Sequence, residues 1–256
     1  MGTSTKEMAS RAKGDALGLL LHERWRLPVK KMYRPLVEGM RGIEVGGPST
    51  VFRTALPLYR FVGQLDGVNF ATDTIWEGHL DSATPFAYSA SGTGRQYIAD
   101  ATDLHEIPTA TYDFLLSSNC LEHVANPIKA LVEWRRVLRP RGTLVLVLPN
   151  QKSNFDHRRP VTAMDHLLDD FAKNTAEDDL THLDEILALH DLSMDPPAGN
   201  LAQFRERSLQ NFENRTLHHH VFDMPLIAQM LDYLEFEMLD ATTTRTDFFA
   251  LARSGR

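Results

Sequence analysis

The chain has 256 residues, 43% hydrophobic and 24% charged, enough to bury a full core as one domain with an elaboration. A net charge of -7 argues against sequence-independent nucleic-acid binding, which needs a basic footprint. The only cysteine, Cys120, excludes an intramolecular disulfide and fits a reducing compartment, and no uninterrupted apolar run is long enough for a bilayer. The N-terminus lacks a small-residue cleavage site after its short apolar patch, so a cytoplasmic enzyme with no membrane partner is the expectation.

Residues 1–40 read as helix, because Leu17, Leu20, Leu21 and Trp25 share one face, with Pro28 and Pro35 as interruptions. A strand from Gly42 to Val45 then runs into GGPST, a glycine turn that fails the G-x-G-x-x-G pattern at Pro48 and Thr50. Further strands are expected at Gly67–Phe70, Arg95–Ala99 and Tyr112–Ser117. A helix follows over Pro127–Leu138, with proline in its first turn and Leu131, Trp134 and Leu138 along one side. Thr143–Leu148 is apolar throughout, as in a central strand covered on both faces. Residues 151–217 break the alternation with a polar, acidic stretch. A helix at Pro225–Leu234 and strands at Phe236–Leu239 and Phe248–Ala252 close the chain. The pattern predicts an α/β fold, a Rossmann-like doubly wound, mostly parallel sheet of seven strands. Ligands of such sheets lie beyond the carboxyl ends of the strands, where residues 151–217 are placed to cover the mouth.

Five pieces stand in order: IEVGG, VNFA, IADATDL, YDFLLSSNCLEHVANP and LRPRGTLVLVLPN. Their order and spacing resemble the class I methyltransferases that use S-adenosylmethionine, and HHHVFDMPLIAQMLDYLEFEML is similar to the late segment of one group of them. The resemblance covers residues 40–150 and 218–253. It implies an N-terminal extension at 1–40, a cofactor-binding core at 41–150, a substrate-covering insert at 151–217 and the remainder of the core at 218–256. By the same resemblance Glu44, Gly46 and Gly47 belong to the cofactor loop. Asn69 stands where an acidic residue usually grips the ribose, with Asp73 as the alternative. Asp100 and Ala101 match the adenine-contacting pair, and Ser118 and Asn119 follow the fourth strand. GIEVGGPS, DHRRPVT and NRTLHHHVF together are similar to sugar O-methyltransferases of actinobacterial polysaccharide pathways. That likeness implies a small-molecule or oligosaccharide substrate, in particular a mannoside or methylated manno-oligosaccharide and its 1-hydroxyl. A quinone, phenol or carboxylate acceptor is the alternative.

Methyl transfer from a sulfonium is an in-line displacement, so a sugar hydroxyl must be held on the axis opposite sulfur and relieved of its proton. Seven of the 11 histidines lie beyond residue 150. His157, with Asp156 to orient it, is the first candidate base, and His123 is the second. Arg158 and Arg159 could hold sugar hydroxyls. Glu122 and His123 could ligate Mg²⁺, with His219 of the triplet as a distal ligand, although LEH also occurs in methyltransferases where it only organises a corner. The carboxylates of AEDDLTHLDE read as a solvated helical face, and a thiol nucleophile at Cys120 is disfavoured. A dehydrogenase lacks its third glycine here. A non-catalytic module would have no use for Glu44, Gly46 and Asp100. A homo-oligomer is compatible with all of this.

Overall fold

A computed structural model of the chain describes residues 29–80 and 83–255. The apolar face of Leu17, Leu20, Leu21 and Trp25 lies outside the described residues. Seven strands form one sheet: β1 (Arg41–Val45), β2 (Gln64–Asn69), β3 (Gln96–Ile98), β4 (Tyr112–Ser118), β5 (Leu138–Pro149), β6 (Phe236–Thr243) and β7 (Asp247–Ser254). Their spatial order is β3-β2-β1-β4-β5-β7-β6. The first five run parallel, while β7 lies antiparallel to both β5 and β6. β1, β4 and β5 are interior strands buried over most of their length, which is why the Leu144–Leu148 stretch of β5 is a continuous apolar run instead of an alternation.

Each face of the sheet has its own apolar layer. On one side α2 (Pro127–Val137) lays Ile128, Leu131, Trp134 and Val137 against the strands, joined by Ile227, Met230 and Leu231 of α7 (Met224–Tyr233). Asn126 caps α2 by accepting from the Lys129 N–H at 3.0 Å, and Pro127 occupies the first turn, where its missing N–H is no loss. The other layer consists of Tyr33, Val37, Phe52, Leu56, Tyr59, Phe86 and Tyr88.

The expected strand–helix alternation holds only in part. Between β1 and β2 the regular helix is a single turn, α1 (Thr50–Arg53), followed by a short 3-10 turn. Among the described residues, 70–95 hold two small hairpins, Asp73–Thr74 with Gly78–His79 and Phe86–Ala87 with Thr93–Gly94, and no helix. Phe86 and Tyr88 from the second hairpin cover sheet that a crossover helix would otherwise cover. The last strands run longer than their apolar cores because antiparallel pairing continues through polar residues such as Thr242 and Thr243.

Residues 151–217 fold as α3 (Met164–Lys173), α4 (Leu183–Leu189), α5 (Leu201–Leu209) and α6 (Asn211–Asn214), with short 3-10 turns between them. Ile186, Ala198, Phe204 and Leu217 form a small apolar cluster of their own. α5 starts with a reciprocal cap in which Asn200 accepts from the Gln203 N–H and Gln203 accepts from the Asn200 N–H. α3 is tied to the core where Asn126 donates to the Asp170 carbonyl at 2.9 Å.

At the carboxyl end of β1 the Glu44 side chain is fully buried. It accepts from the Ser49 N–H at 3.0 Å, the Ser49 hydroxyl at 2.6 Å and the Tyr59 hydroxyl at 2.5 Å, so it pins the turn at 46–49 from below. Burial pushes its carboxyl up to about 7 against the pull of those donors. The native state therefore keeps a proton that the unfolded chain releases, and Glu44's contribution is complete at low pH and lost as pH rises through about 7. Glu44→Gln should gain about 2–3 kcal/mol relative to the parent chain between about pH 5 and pH 8, measured by urea unfolding at both. An identical pH dependence in both proteins would contradict a buried neutral Glu44.

Candidate active site

The carboxyl ends of β1, β2, β3 and β4 open into a cleft of about 540 Å³, within the usual range of roughly 300–1,000 Å³ for small-molecule sites. Gly46 forms its floor with φ +80°, and a Cβ there would lie 2.6 Å from Cys120 Sγ, so only glycine is accommodated. Asn69 lines the cleft and donates its amide to the Gly47 carbonyl at 3.0 Å, fixing the turn from the β2 side. Asp100 and Ala101 line it after β3. One Asp100 oxygen accepts from the Thr102 N–H at 2.8 Å and the Thr102 hydroxyl at 2.7 Å, which sets the carboxylate's direction. Ser118 and Asn119 line it after β4, with Asn119 in the left-handed region at φ 49°.

Two of the expected cofactor residues stand behind the wall. Glu44 is engaged with Ser49 and Tyr59 and does not face the cleft. Gly47 is absent from the wall as well; its place is constrained because a Cβ would sit 2.2 Å from the Glu44 carboxyl carbon. Asp73, the alternative ribose residue, is exposed in its hairpin.

The opposite wall carries the polar chemistry. Glu122 is 1% exposed, and its Oε2 has no hydrogen-bond partner among the described residues. Burial pushes its carboxyl up to about 7. His123 Nδ1 lies 3.1 Å from the Leu217 carbonyl, which places the proton on Nδ1 and leaves Nε2 as an acceptor. Burial holds this imidazole well below its ordinary range, so it is neutral. His218 packs edge-on against His123, with ring centres 4.5 Å apart, and its Nδ1 meets Asp156 Oδ2 at 2.5 Å. Burial opposes the imidazolium of His218, but the hydrogen bond and charge of Asp156 outweigh it and raise its pKa. Phe70, Trp76 and Phe155 add aromatic surface, with Trp76 half exposed and 5.4 Å from the His123 ring.

The chain's first candidate base is displaced. His157 is not part of the cleft wall; its Nδ1 lies 3.0 Å from the Asn154 carbonyl in a local turn and its Nε2 lies 3.6 Å from Asp191. The neighbouring Arg158 pairs with the same Asp191 at 2.7 Å, drawing this end of the loop towards α4 and the turn after it. Asp156 does orient a histidine, but that histidine is His218. Arg159 is buried and fully engaged with protein groups, so it has no hand free for a substrate hydroxyl.

His219 is likewise not a ligand beside Glu122. Its ring is 1% exposed and meets Asn211 Nδ2 at 3.0 Å, while its N–H donates to the Glu122 carbonyl. The triplet's member at the cleft is His218, and Glu122, His123 and His218 bring ligand atoms within 4.8 Å of one another. Two imidazoles and one carboxylate suit zinc, manganese or iron; Mg²⁺ prefers oxygen donors and its own water, so this set does not fit it.

The acidic stretch is also more than a solvated helical face. Glu177 stands in a turn, buried, and accepts from the Ala125 N–H at 3.0 Å. Arg215 Nη1 bridges Glu177 at 3.0 Å and Asp100 at 3.1 Å, with its guanidinium 5.2 Å from the Phe70 ring centre. Both Glu177 and Arg215 line the cleft, so the insert completes the wall beside Asp100. No sequence motif marked them, because the link runs across 115 residues from Asp100 to Arg215. Cys120 lines the floor, and burial pushes its thiol up to about 12, which leaves no thiolate for nucleophilic attack.

Residues 59–146 match the family described as a methyltransferase domain. No curated protein matches the sequence. Among solved structures, an S-adenosylmethionine-dependent methyltransferase from Mesorhizobium loti superposes with a TM-score of 0.51 at 15% identity, covering 88% of this chain and 95% of that one. A candidate methyltransferase from Bacillus halodurans gives 0.50 at 11% identity, covering 89% and 99%. Identities this low speak for the fold alone. Part of the chain thus matches a methyltransferase domain, and the sheet has the Rossmann-like fold of S-adenosylmethionine-dependent methyltransferases.

Proposed function

We propose that the enzyme is an O-methyltransferase acting on a hydroxyl of a carbohydrate, with a mannoside or methylated manno-oligosaccharide as the acceptor and its 1-hydroxyl as the site. The observation that carries the hydroxyl reading is the Asp156–His218 pair on the cleft wall facing the glycine turn. A hydroxyl needs help to lose its proton at neutral pH, and a histidine whose far nitrogen is held by a buried carboxylate is built for that task. The carbohydrate class rests on the sequence likeness, and the half-exposed Trp76 offers the apolar face of a sugar ring a flat partner. A quinone or phenol would use the same base and is separated only by the acceptor assay. We place the reaction in the cytoplasm, in keeping with the single reduced cysteine.

S-adenosylmethionine, when bound, supplies a methyl group on a positively charged sulfur. Gly46, Asn69, Asp100 and Ala101 would hold it, the glycine letting backbone approach the methionine portion and the others meeting the ribose and adenine. His218 Nε2 accepts the acceptor's proton as its oxygen closes on the methyl carbon, and Asp156 stabilises the imidazolium that forms. His123, neutral with Nε2 as acceptor, takes a second hydroxyl of the sugar and fixes its orientation.

A second reading has one specific observation behind it. Glu122 Oε2 is buried without a partner inside a set of three ligand atoms, which a transition-metal ion would satisfy while orienting the acceptor. Chelation separates the two readings: full turnover after metal removal supports the histidine base alone, and loss restored by Mn²⁺ or Zn²⁺ supports the metal.

The base assignment is tested with purified variants and a panel of free and O-methylated mono- and disaccharides. His218→Ala should lower kcat by about 10²–10⁴-fold while S-adenosylhomocysteine still binds by calorimetry. His157→Ala should retain turnover; its loss, with His218→Ala active, would return the role to His157. For the cofactor half, Asn69→Ala should weaken S-adenosylhomocysteine binding by about tenfold, since it removes the amide that holds the glycine turn. Unchanged affinity would place the cofactor away from β2.

A further inference from the structure

Histidines gather a second time outside the cleft. His166 on α3, His182 just before α4 and His220 in the segment before α7 bring one ring nitrogen each within 4.8 Å of one another. None of the three lines the cleft. His166 Nε2 and His182 Nε2 stand 2.9 Å apart, and the ring centres of His182 and His220 are 5.4 Å apart. One turn after His166, Asp170 places Oδ2 3.2 Å from His166 Nε2 and 3.7 Å from His220 Nε2.

Hydrogen bonding leaves this cluster incomplete. His220 is 1% exposed, and its Nε2 lies 3.1 Å from the Ala125 carbonyl, so the proton sits on Nε2 and the lone pair on Nδ1. That Nδ1 is buried without a hydrogen-bond partner among the described residues, and so is Asp170 Oδ2. Each such orphan is unfavourable unless something meets it. The other Asp170 oxygen is already held by the Thr175 hydroxyl at 3.0 Å, which aims the free one.

Three imidazoles with a carboxylate alongside form a donor set that Zn²⁺ accepts, and the bond from His220 Nε2 to Ala125 is the outer contact that commonly fixes a zinc-binding ring. We propose that His166, His182, His220 and Asp170 bind one Zn²⁺ ion, in a structural site separate from the active site. The ion would join α3 and the start of α4 to the strand-like segment that also carries His218. The partly exposed His166 and His182 give it a way in. This inference does not depend on the methyltransferase chemistry.

The experiment strips the full-length protein with chelator, then titrates Zn²⁺ by calorimetry and Co²⁺ by visible absorption. The expected result is one ion bound with a tetrahedral cobalt spectrum at this site, a raised Tm with Zn²⁺, and both retained in Glu122→Gln. His182→Ala should lose more than about 100-fold in Zn²⁺ affinity and its Zn²⁺-dependent Tm rise. Its circular dichroism without metal should match that of the stripped parent, and if it does not fold, His166→Gln carries the same expectation. Absence of stoichiometric binding, unchanged affinity in these variants, or binding abolished only by Glu122→Gln would overturn the assignment.

Discussion

The buried guanidinium of Arg159 is the contact on which the site is assembled. A charge taken out of water is tolerated only when its donors find partners, and here each guanidinium nitrogen has at least one. Arg159 donates to Asp156 at 3.0 Å, to Glu185 of α4 at 2.9 Å, and to the carbonyls of His218 and His219 at 2.8 and 3.2 Å. One side chain thus ties the loop after β5 to the insert and to the histidine triplet. It also keeps Asp156 ionised, because His218 and Arg159 together outweigh the burial that would neutralise it. An ionised Asp156 is what gives His218 its orientation and its raised pKa. Arg159 is a positioning residue that never meets the substrate.

Around this contact the mouth of the sheet is lined with protonatable groups held near neutrality. Glu122 and Glu177 are both pushed up to about 7 by burial, one beside His123 and His218 and one beside Arg215 and Asp100. Such perturbed carboxyls concentrate where a fold has traded stability for chemistry. The insert contributes as much to this environment as the sheet does, through Glu177, Arg215 and His218's neighbours. The cleft is therefore a product of two parts of the chain: a floor from strand ends, and a polar wall fixed by the loops and the insert.

The floor was readable in the sequence because its residues act locally. Gly46 follows a strand, Asp100 follows another, and Ser118 and Asn119 a third, so the motif order of the resemblance, with the strand pattern, delivers them to one edge. The seven strands, α2 and α7 were legible for the same reason, apart from boundaries that extend into polar residues. The β2–β3 crossover was not, because Phe86 and Tyr88 cover the sheet from a hairpin whose strands are two residues long. The reactive wall was misread at His157 and His219, and the cause is long-range: Asp156 meets a histidine 62 residues away, and His219 turns to Asn211 instead of Glu122. Adjacent histidines in an extended segment point apart, and which one reaches the cleft depends on the carbonyls that Arg159 holds. The glycine turn itself misses two glycines of the dinucleotide pattern, yet Glu44, Ser49 and Tyr59 supply from below the rigidity that those glycines would not.

The most direct test is a crystal structure with S-adenosylhomocysteine and a mannoside acceptor bound together. The homocysteine sulfur should lie over Gly46, with the adenine near Asp100 and the acceptor hydroxyl within hydrogen-bond reach of His218 Nε2, on the far side of the methyl position. A complex in which the cofactor lies elsewhere, or in which the acceptor hydroxyl meets His157 and not His218, would contradict this site.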